Sequence, residues 1–365
     1  MSICIIQLSD IHFKNAATVS TAASEKIIGL LRPTVRGKKW ILIAVTGDLA
    51  FKGIREEYEA ASSFLGSIKD EVQREAGCKV QIAVVAGNHD CDFKNVSHSR
   101  EMIARSILED GVHRIDQGVI DNCTSVQSAF KESAKALEAW PPDFDDGLMK
   151  EMNYDVDGCC IKIFGLNVAW LSKIKEKYGE LVFPTHRYED RFRESTANLN
   201  IVLMHHPAHW MVQQSFHSLK ALFQKENTLV LSGHEHVSGG YAVQTAVGEY
   251  VLIEAPALVP ENSGDKAGFN VIEVDLDQRL GICQTYYLGD EAIDKPFEFK
   301  LQAPAELDSR HQLSQIFRAE LADPGGNFTG GSFGGNGNNQ LVLTDLFTFP
   351  DVRTIAAEEG ALPVI

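Results

Sequence analysis

Short apolar runs alternate with amphipathic stretches through the first part of the chain. Ile3–Leu8, Ile41–Thr46 and Val80–Ala86 are rich in β-branched residues and nearly free of polar ones, as strands buried on both faces are. Ser24–Leu31 has a helical pattern between the first two. Between the second and third, from about Arg55 to Glu75, Tyr58, Ala61, Phe64, Leu65, Ile68 and Val72 recur at helical spacing. Each interval therefore holds a strand, a crossover helix and loops, the make-up of a βαβ unit, and strands joined in this way are parallel. Their carboxyl ends share one edge, where the ligand crevices of open α/β sheets lie. Each end carries a polar cluster: Ser9-Asp10-Ile11-His12, Gly47-Asp48 and Gly87-Asn88-His89-Asp90.

The pattern changes from Cys91 to Pro142, which is polar and mostly helical, with helices expected near Ser99–Leu108 and Ser125–Trp140. We read residues 91–142 as a helical insertion that caps the strand ends. A β pattern returns at Cys160–Leu171. Ile201–Met204 and Thr228–Leu231 are two more buried strands, with a helix expected over Ser215–Glu226 between them. They end at His205-His206-Pro207 and at Ser232-Gly233-His234-Glu235-His236. Tyr250–Ile253, Asn270–Asp275 and Gly281–Leu288 read as an antiparallel run that completes a second sheet. The expected fold class is α/β, a two-sheet sandwich flanked by helices, over residues 1–300. Residues 301–340 include a Gly/Asn-rich stretch with the composition of a flexible linker. Residues 341–365, with the apolar run Leu341–Phe349, are read as the start of a further segment or as a C-terminal tail. An additional domain or partner is expected beyond the linker.

Composition narrows the class. Of 365 residues, 44% are apolar and 23% charged, ordinary values for a globular protein, and no apolar run reaches membrane-spanning length. The N-terminus enters a strand with no basic leader, and the seven cysteines contain no C-x-x-C pair. These features predict a cytoplasmic protein with reduced thiols and no membrane association. The formal net charge of −16 opposes non-specific binding to duplex nucleic acid, although it permits a local basic groove.

Five strand ends carry Asp10 and His12, Asp48, Asn88 and His89, His205, then His234 and His236. Singly, these are ordinary helix caps or hydrogen-bonded structural histidines. Together they gather Asp, Asn and His at apolar strand ends with few other polar residues. Asp10 and His12 are two apart, so an extended backbone would point both the same way to chelate one ion. Carboxylate, amide and imidazole ligands without thiolate suit manganese, iron or zinc. Seven ligands are too many for one tetrahedral site and suit two divalent ions sharing a carboxylate. Two ions about 3.5–4 Å apart stabilise the attacking and leaving oxygens of a displacement at phosphorus, and a water between them ionises near neutral pH.

In this order, D-x-H, G-D, G-N-H-D, H and G-H-x-H resemble the calcineurin-like metallophosphoesterase superfamily, over about Ile3–Val237. The resemblance implies a four-layer α/β/β/α sandwich of two mixed sheets flanked by helices. It implies that Asp10, His12 and His236 hold one ion, that Asn88, His205 and His234 hold the other, and that Asp48 bridges them. In His205-His206 the ligand is assigned to the first, which is closer to the strand. His89 would contact the phosphoryl group and protonate the leaving oxygen, with Asp90 orienting its ring.

The protein phosphatases of the superfamily extend the second block to G-D-x-V-D-R-G. Here Gly47-Asp48-Leu49-Ala50-Phe51-Lys52-Gly53 lacks the second Asp and the Arg, which speaks against a phosphoprotein substrate. Ser9-Asp10-Ile11-His12-Phe13, Gly47-Asp48-Leu49-Ala50 and His205-His206-Pro207 are closer to the bacterial phosphodiesterase branch. Lys14, Lys52, His206, His209 and Trp210 are candidates for holding a phosphate or a base. The expectation is a phosphodiesterase with two divalent metal ions, manganese first, that hydrolyses a nucleotide or other small diester through a metal-bridging hydroxide. A nuclease is the alternative within enzymes, and a non-catalytic metal-binding scaffold is the alternative outside them.

Overall fold

The computed structural model describes residues 1–301 apart from 111–114, 139–141, 174, 225–226, 245–247, 262–263 and 290–294. The linker beyond 301 and the segment 341–365 thus lie outside the described residues. The chain opens with β1 (Ser2–Leu8), α1 (Thr21–Val35), β2 (Trp40–Val45), α2 (Arg55–Ala76) and β3 (Val80–Val84). The three strands are parallel neighbours, with Ile3 beside Trp40 and Ile41 beside Val80. Alternate residues serve different layers. Cys4, Ile6, Leu8, Ile41, Ile43 and Val45 pack with the helices, whereas Ile3, Ile5, Leu42, Ala44 and Ala83 face a second sheet. Burial on both faces is why these strands are apolar throughout.

The insertion forms α3 (His98–Asp110), α4 (Gln117–Thr124) and α5 (Ser128–Leu137). It is followed by β4 (Phe144–Asp145), β5 (Met149–Val156), β6 (Cys159–Leu166), α6 (Glu189–Arg193), β7 (Leu199–Leu203), α7 (Gln213–Phe223) and β8 (Thr228–Ser232). The last described strands are β9 (Gly239–Gln244), β10 (Glu249–Glu254), β11 (Gly268–Asp275), β12 (Leu280–Tyr287) and β13 (Phe297–Lys300). One sheet runs β13-β12-β11-β1-β2-β3 and the other β4-β5-β6-β7-β8-β10-β9. Both are mixed. Ile161, Ile163, Leu199, Ile201, Leu229 and Leu231 of the second sheet meet the inner face of the first. With α1 and α2 outside the first sheet and α7 outside the second, the layers are α/β/β/α. All seven cysteines are free.

Three expectations are corrected. The late antiparallel strands do not all complete the second sheet: β10 lies parallel to β8 there, but β11 and β12 join the first, β11 antiparallel to β1. The pairing sets Gln7 opposite Asn270, whose amide nitrogen lies 3.1 Å from Gln7 Oε1, while Gln7 Nε2 donates to Ser232 O of the other sheet at 2.9 Å. Buried amides require such partners, so this pair helps select the strand beside β1. The stretch Cys160–Leu171 is not all strand: β6 ends at Leu166 and Val168–Leu171 is a 3-10 turn. The insertion is not chiefly a cap. Phe130, Ala134 and Leu137 of α5 pack in the core that holds α2, and Ile107, Ile120 and Cys123 pack in the outer core of the second sheet.

Candidate metal centre

Both sheets present strand ends to the same place. The loops after β1 and β2 continue the ladder briefly: Asp10 N donates to Gly47 O at 3.2 Å, and Ile11 N and His12 N both donate to Asp48 O at 3.0 Å. The backbone at Asp10 and His12 is therefore not extended, as expected above, but left-handed, with φ of 51° and 53°. Asp48 (φ 51°), His234 (φ 73°) and His236 (φ 58°) share that conformation. It costs on the order of 1–3 kcal/mol for each non-glycine residue and persists where the surroundings over-determine it, commonly at functional sites. The motif glycines serve close approach. A Cβ on Gly87 would lie 2.1 Å from Asp48 Oδ1, and one on Gly233 would lie 1.9 Å from Ser9 Oγ.

The side chains converge on Asp48. Its Oδ2 lies 3.3 Å from His12 Nε2 and 3.2 Å from His205 Nε2, while Oδ1 accepts the His89 backbone N–H at 2.7 Å. His205 Nδ1 donates to Thr46 O at 2.8 Å, which keeps a proton there and turns Nε2 towards Asn88 Oδ1 (3.1 Å) and His234 Nδ1 (3.2 Å). Asp10 Oδ2 accepts from Ser9 Oγ (2.5 Å) and His234 N (3.1 Å). Its Oδ1 is buried 3.2 Å from His236 Nε2 without the alignment of a hydrogen bond. His12 Nδ1 is also buried and unpartnered. Donor atoms of Asp10, His12 and His236 lie within 4.8 Å of one another, as do those of Asp10, Asp48 and His205. Buried oxygen and imidazole donors with unfilled valences suit divalent metal ions.

The family model for calcineurin-like phosphoesterases matches residues 4–238. The chain belongs to the calcineurin-like phosphoesterase family. Among solved structures it is similar to GAP50, the anchor in the inner membrane complex of Plasmodium, at 11% identity and a TM-score of 0.47, covering 87% of this chain and 94% of that one. It is similar to a hypothetical protein of Thermus thermophilus at 16% identity and a TM-score of 0.38, covering 83% and 100%. It is similar to zinc-complexed Vps29 of Entamoeba histolytica at 12% identity and a TM-score of 0.34, covering 82% and 99%. No curated protein matches the chain significantly. Among the described residues, no helix is long and apolar enough to cross a membrane.

Charge around the candidate site would govern how it loads metal. Burial lowers the pKa of His12 and His205, but the neighbouring Asp48 carboxylate more than reverses this and raises them to about 9 and about 10. Burial, with His206 and His205 alongside, lowers His234 to about 2, which favours its neutral ring. With both imidazoles raised in this way, metal ligation by His12 and His205 would have to displace a proton from each. Manganese affinity is expected to rise with pH up to about 9–10, with up to two protons released per protein near neutrality. Calorimetric titration in buffers of different ionisation enthalpy reads this directly. A pH-independent affinity would show that these two imidazoles are not ligands.

His89 is half-buried. Its Nδ1 donates to Phe51 O at 2.9 Å, and its ring stacks on Phe51 with centroids 5.4 Å apart. Asp90 does not orient that ring, contrary to the sequence expectation. Its buried carboxylate turns inward and accepts from Gly87 N, Ala50 N and Tyr58 OH at 2.9, 3.0 and 2.9 Å, bracing the second and third motif loops together. Burial and the Asp48 charge raise its pKa to about 6.

His209 and Trp210 are corrected too. Together with Tyr178 they place donors on a single oxygen, Glu235 Oε1, at 2.8, 2.9 and 2.9 Å, so the groups expected to hold a phosphate or a base meet a carboxylate of this chain. His206 is buried behind His234, its Nε2 2.8 Å from Glu176 Oε2. Lys14 stands over the Phe51 ring at 4.0 Å, with Lys52 farther out at 5.9 Å. Glu176, Glu235 and Asp265, whose Oδ2 lies 3.7 Å from His236 Nδ1, escape sequence reasoning. Only Glu235 carries a signal, as the middle residue of G-H-x-H.

Proposed function

We propose that the chain is a divalent-metal-dependent phosphodiesterase acting on a small diester such as a nucleotide. The observation that carries this reading is Asp48. One of its oxygens lies between histidines from the two groups of donors, and the other anchors the backbone of His89. Asp10, His12 and His236 would hold one ion, Asn88, His205 and His234 the other, and Asp48 both. Bound there, two divalent ions would polarise the phosphoryl oxygens and make a water acidic enough to ionise near neutral pH. The chain's own residues do the rest. Thr46 O and Asp10 Oδ2 fix His205 and the His234 loop. Phe51 O accepts from His89 Nδ1, which leaves Nε2 as the nitrogen that would hand a proton to the leaving group. As the water oxygen bonds to phosphorus and the P–O bond to the leaving group breaks, that proton passes to the departing oxygen.

Purified protein with manganese, iron or zinc should hydrolyse bis-p-nitrophenyl phosphate faster than p-nitrophenyl phosphate, and a chelator should stop it reversibly. The same screen should include cyclic nucleotides and single- and double-stranded nucleic acid. Turnover confined to long nucleic acid would make the protein a nuclease. Stoichiometric metal binding with no turnover on any substrate would leave the scaffold reading.

A further inference from the structure

Beside the metal centre lies a cavity of about 290 Å³ whose lining includes Asn88, His89, Phe51, Phe93 and the lysines Lys52, Lys94 and Lys173. It is at the small end of ligand pockets and has their usual make-up, apolar walls with a few convergent polar groups. Its position carries information about the substrate. On the reading above, which this inference rests on, His89 protonates the departing oxygen, so whatever fills a cavity walled by His89 belongs to the leaving half. Its charge carries more. In a chain of formal net charge −16, three lysines, all exposed, belong to the lining of one small cavity. Among the described residues, neither Lys52 nor Lys94 is in an ion pair, and Lys173 has only an exposed partner, Glu180, at 3.5 Å. Such a pair contributes little and yields readily. Asp92, also at the wall, caps the Phe93–Asn95 turn by accepting from Lys94 N at 3.0 Å.

We propose that this cavity binds the leaving half of the substrate and selects one that carries a phosphate of its own. Phe51 and Phe93 would flank its ring or sugar, and Lys52, Lys94 and Lys173 would hold the second phosphate. The substrate class is then a dinucleotide-like diester whose leaving half is a nucleoside monophosphate. A cyclic nucleotide has no separate leaving half, and a simple aryl diester leaves the lysines without an anion.

The test compares two dinucleotides that differ by one group, diadenosine monophosphate (ApA) and its 5′-phosphorylated form (pApA). Wild-type protein should favour pApA by roughly tenfold or more in kcat/KM, the scale of a few charge-assisted contacts at a screened site, and added salt should erode the preference. In the triple variant Lys52→Ala, Lys94→Ala, Lys173→Ala, the pApA to ApA ratio should fall close to one. Equal kcat/KM for the two in wild type, or a preference that survives the triple change, overturns the inference. Equilibrium binding of adenosine monophosphate to manganese-loaded protein gives a reading free of turnover, and should weaken about tenfold in the triple variant. Lysine-dependent binding without hydrolysis of any diester would sink the enzymatic reading and keep the pocket. Hydrolysis of bis-p-nitrophenyl phosphate with no discrimination between ApA and pApA would sink the pocket alone. Cleavage of long single strands as fast as pApA would also overturn it, since a strand needs no enclosed site for one nucleotide.

Discussion

Asp48→Ala is expected to lower bound metal from two equivalents to one or fewer and to cut diester hydrolysis by about a thousandfold or more. Substitutions outside the ligand set commonly cost about 10–100-fold at metal centres, so a shared ligand sets a higher floor. The reason lies in how much meets at this side chain. Its Oδ2 is 3.3 Å from His12 Nε2 and 3.2 Å from His205 Nε2, and these two histidines belong to different donor groups. Alanine would remove the negative charge that keeps both imidazoles directed inward, and the acceptor for His89 N at 2.7 Å. Asp48→Asn separates charge from shape. It retains an oxygen that can accept from His89 N but not the charge, so it should hold more metal than alanine and less than wild type. Elemental analysis of dialysed protein, beside turnover of bis-p-nitrophenyl phosphate, decides the matter. Two equivalents of metal or undiminished turnover in Asp48→Ala would remove the bridging role.

The strands and their polar ends are legible for one physical reason. A parallel strand buried on both faces tolerates only apolar residues, so the first Asp or His after such a run stands out, as at Asp10, Asp48 and His205. Features that depend on contacts distant in sequence are not legible. The strand beside β1 is marked in part by the hydrogen bond between Gln7 and Asn270, two residues that no local pattern links. Glu176 and Asp265 reach His206 and His236 from separate loops. Asp90 misleads because it follows His89 directly, yet backbone at a turn sends neighbouring side chains apart, one to the cavity and one into the core. The β5–β6 hairpin was within reach. Its polar first strand, with Lys150, Glu151 and Asn153, hides the alternation, but Asp157-Gly158, at φ of 51° and 82°, is the two-residue turn that joins such strands.

His89→Ala should behave differently from Asp48→Ala, and the contrast assigns the chemistry. The backbone N–H of residue 89, not its ring, bonds Asp48, and alanine retains that bond. Asn88 and the loop that Asp90 braces also remain, so both metal ions should stay bound. What disappears is a ring held by Phe51 O at 2.9 Å and stacked on the Phe51 side chain, with one nitrogen left to face the leaving group. Loss of a positioned general acid costs about 10²–10⁴-fold, and only where the departing oxygen needs a proton. Alkoxide leaving groups, such as the sugar hydroxyl of a dinucleotide, should show the full loss. p-Nitrophenolate, which departs as a stable anion, should show little, so the dependence of rate on leaving-group pKa should steepen in the variant. A competing outcome is built into the geometry, because His12, Asp48 and His89 also offer donor atoms within 4.8 Å of one another. If His89→Ala loses metal, and loses p-nitrophenyl and alkyl substrates equally, then His89 is a ligand and the proton comes from elsewhere.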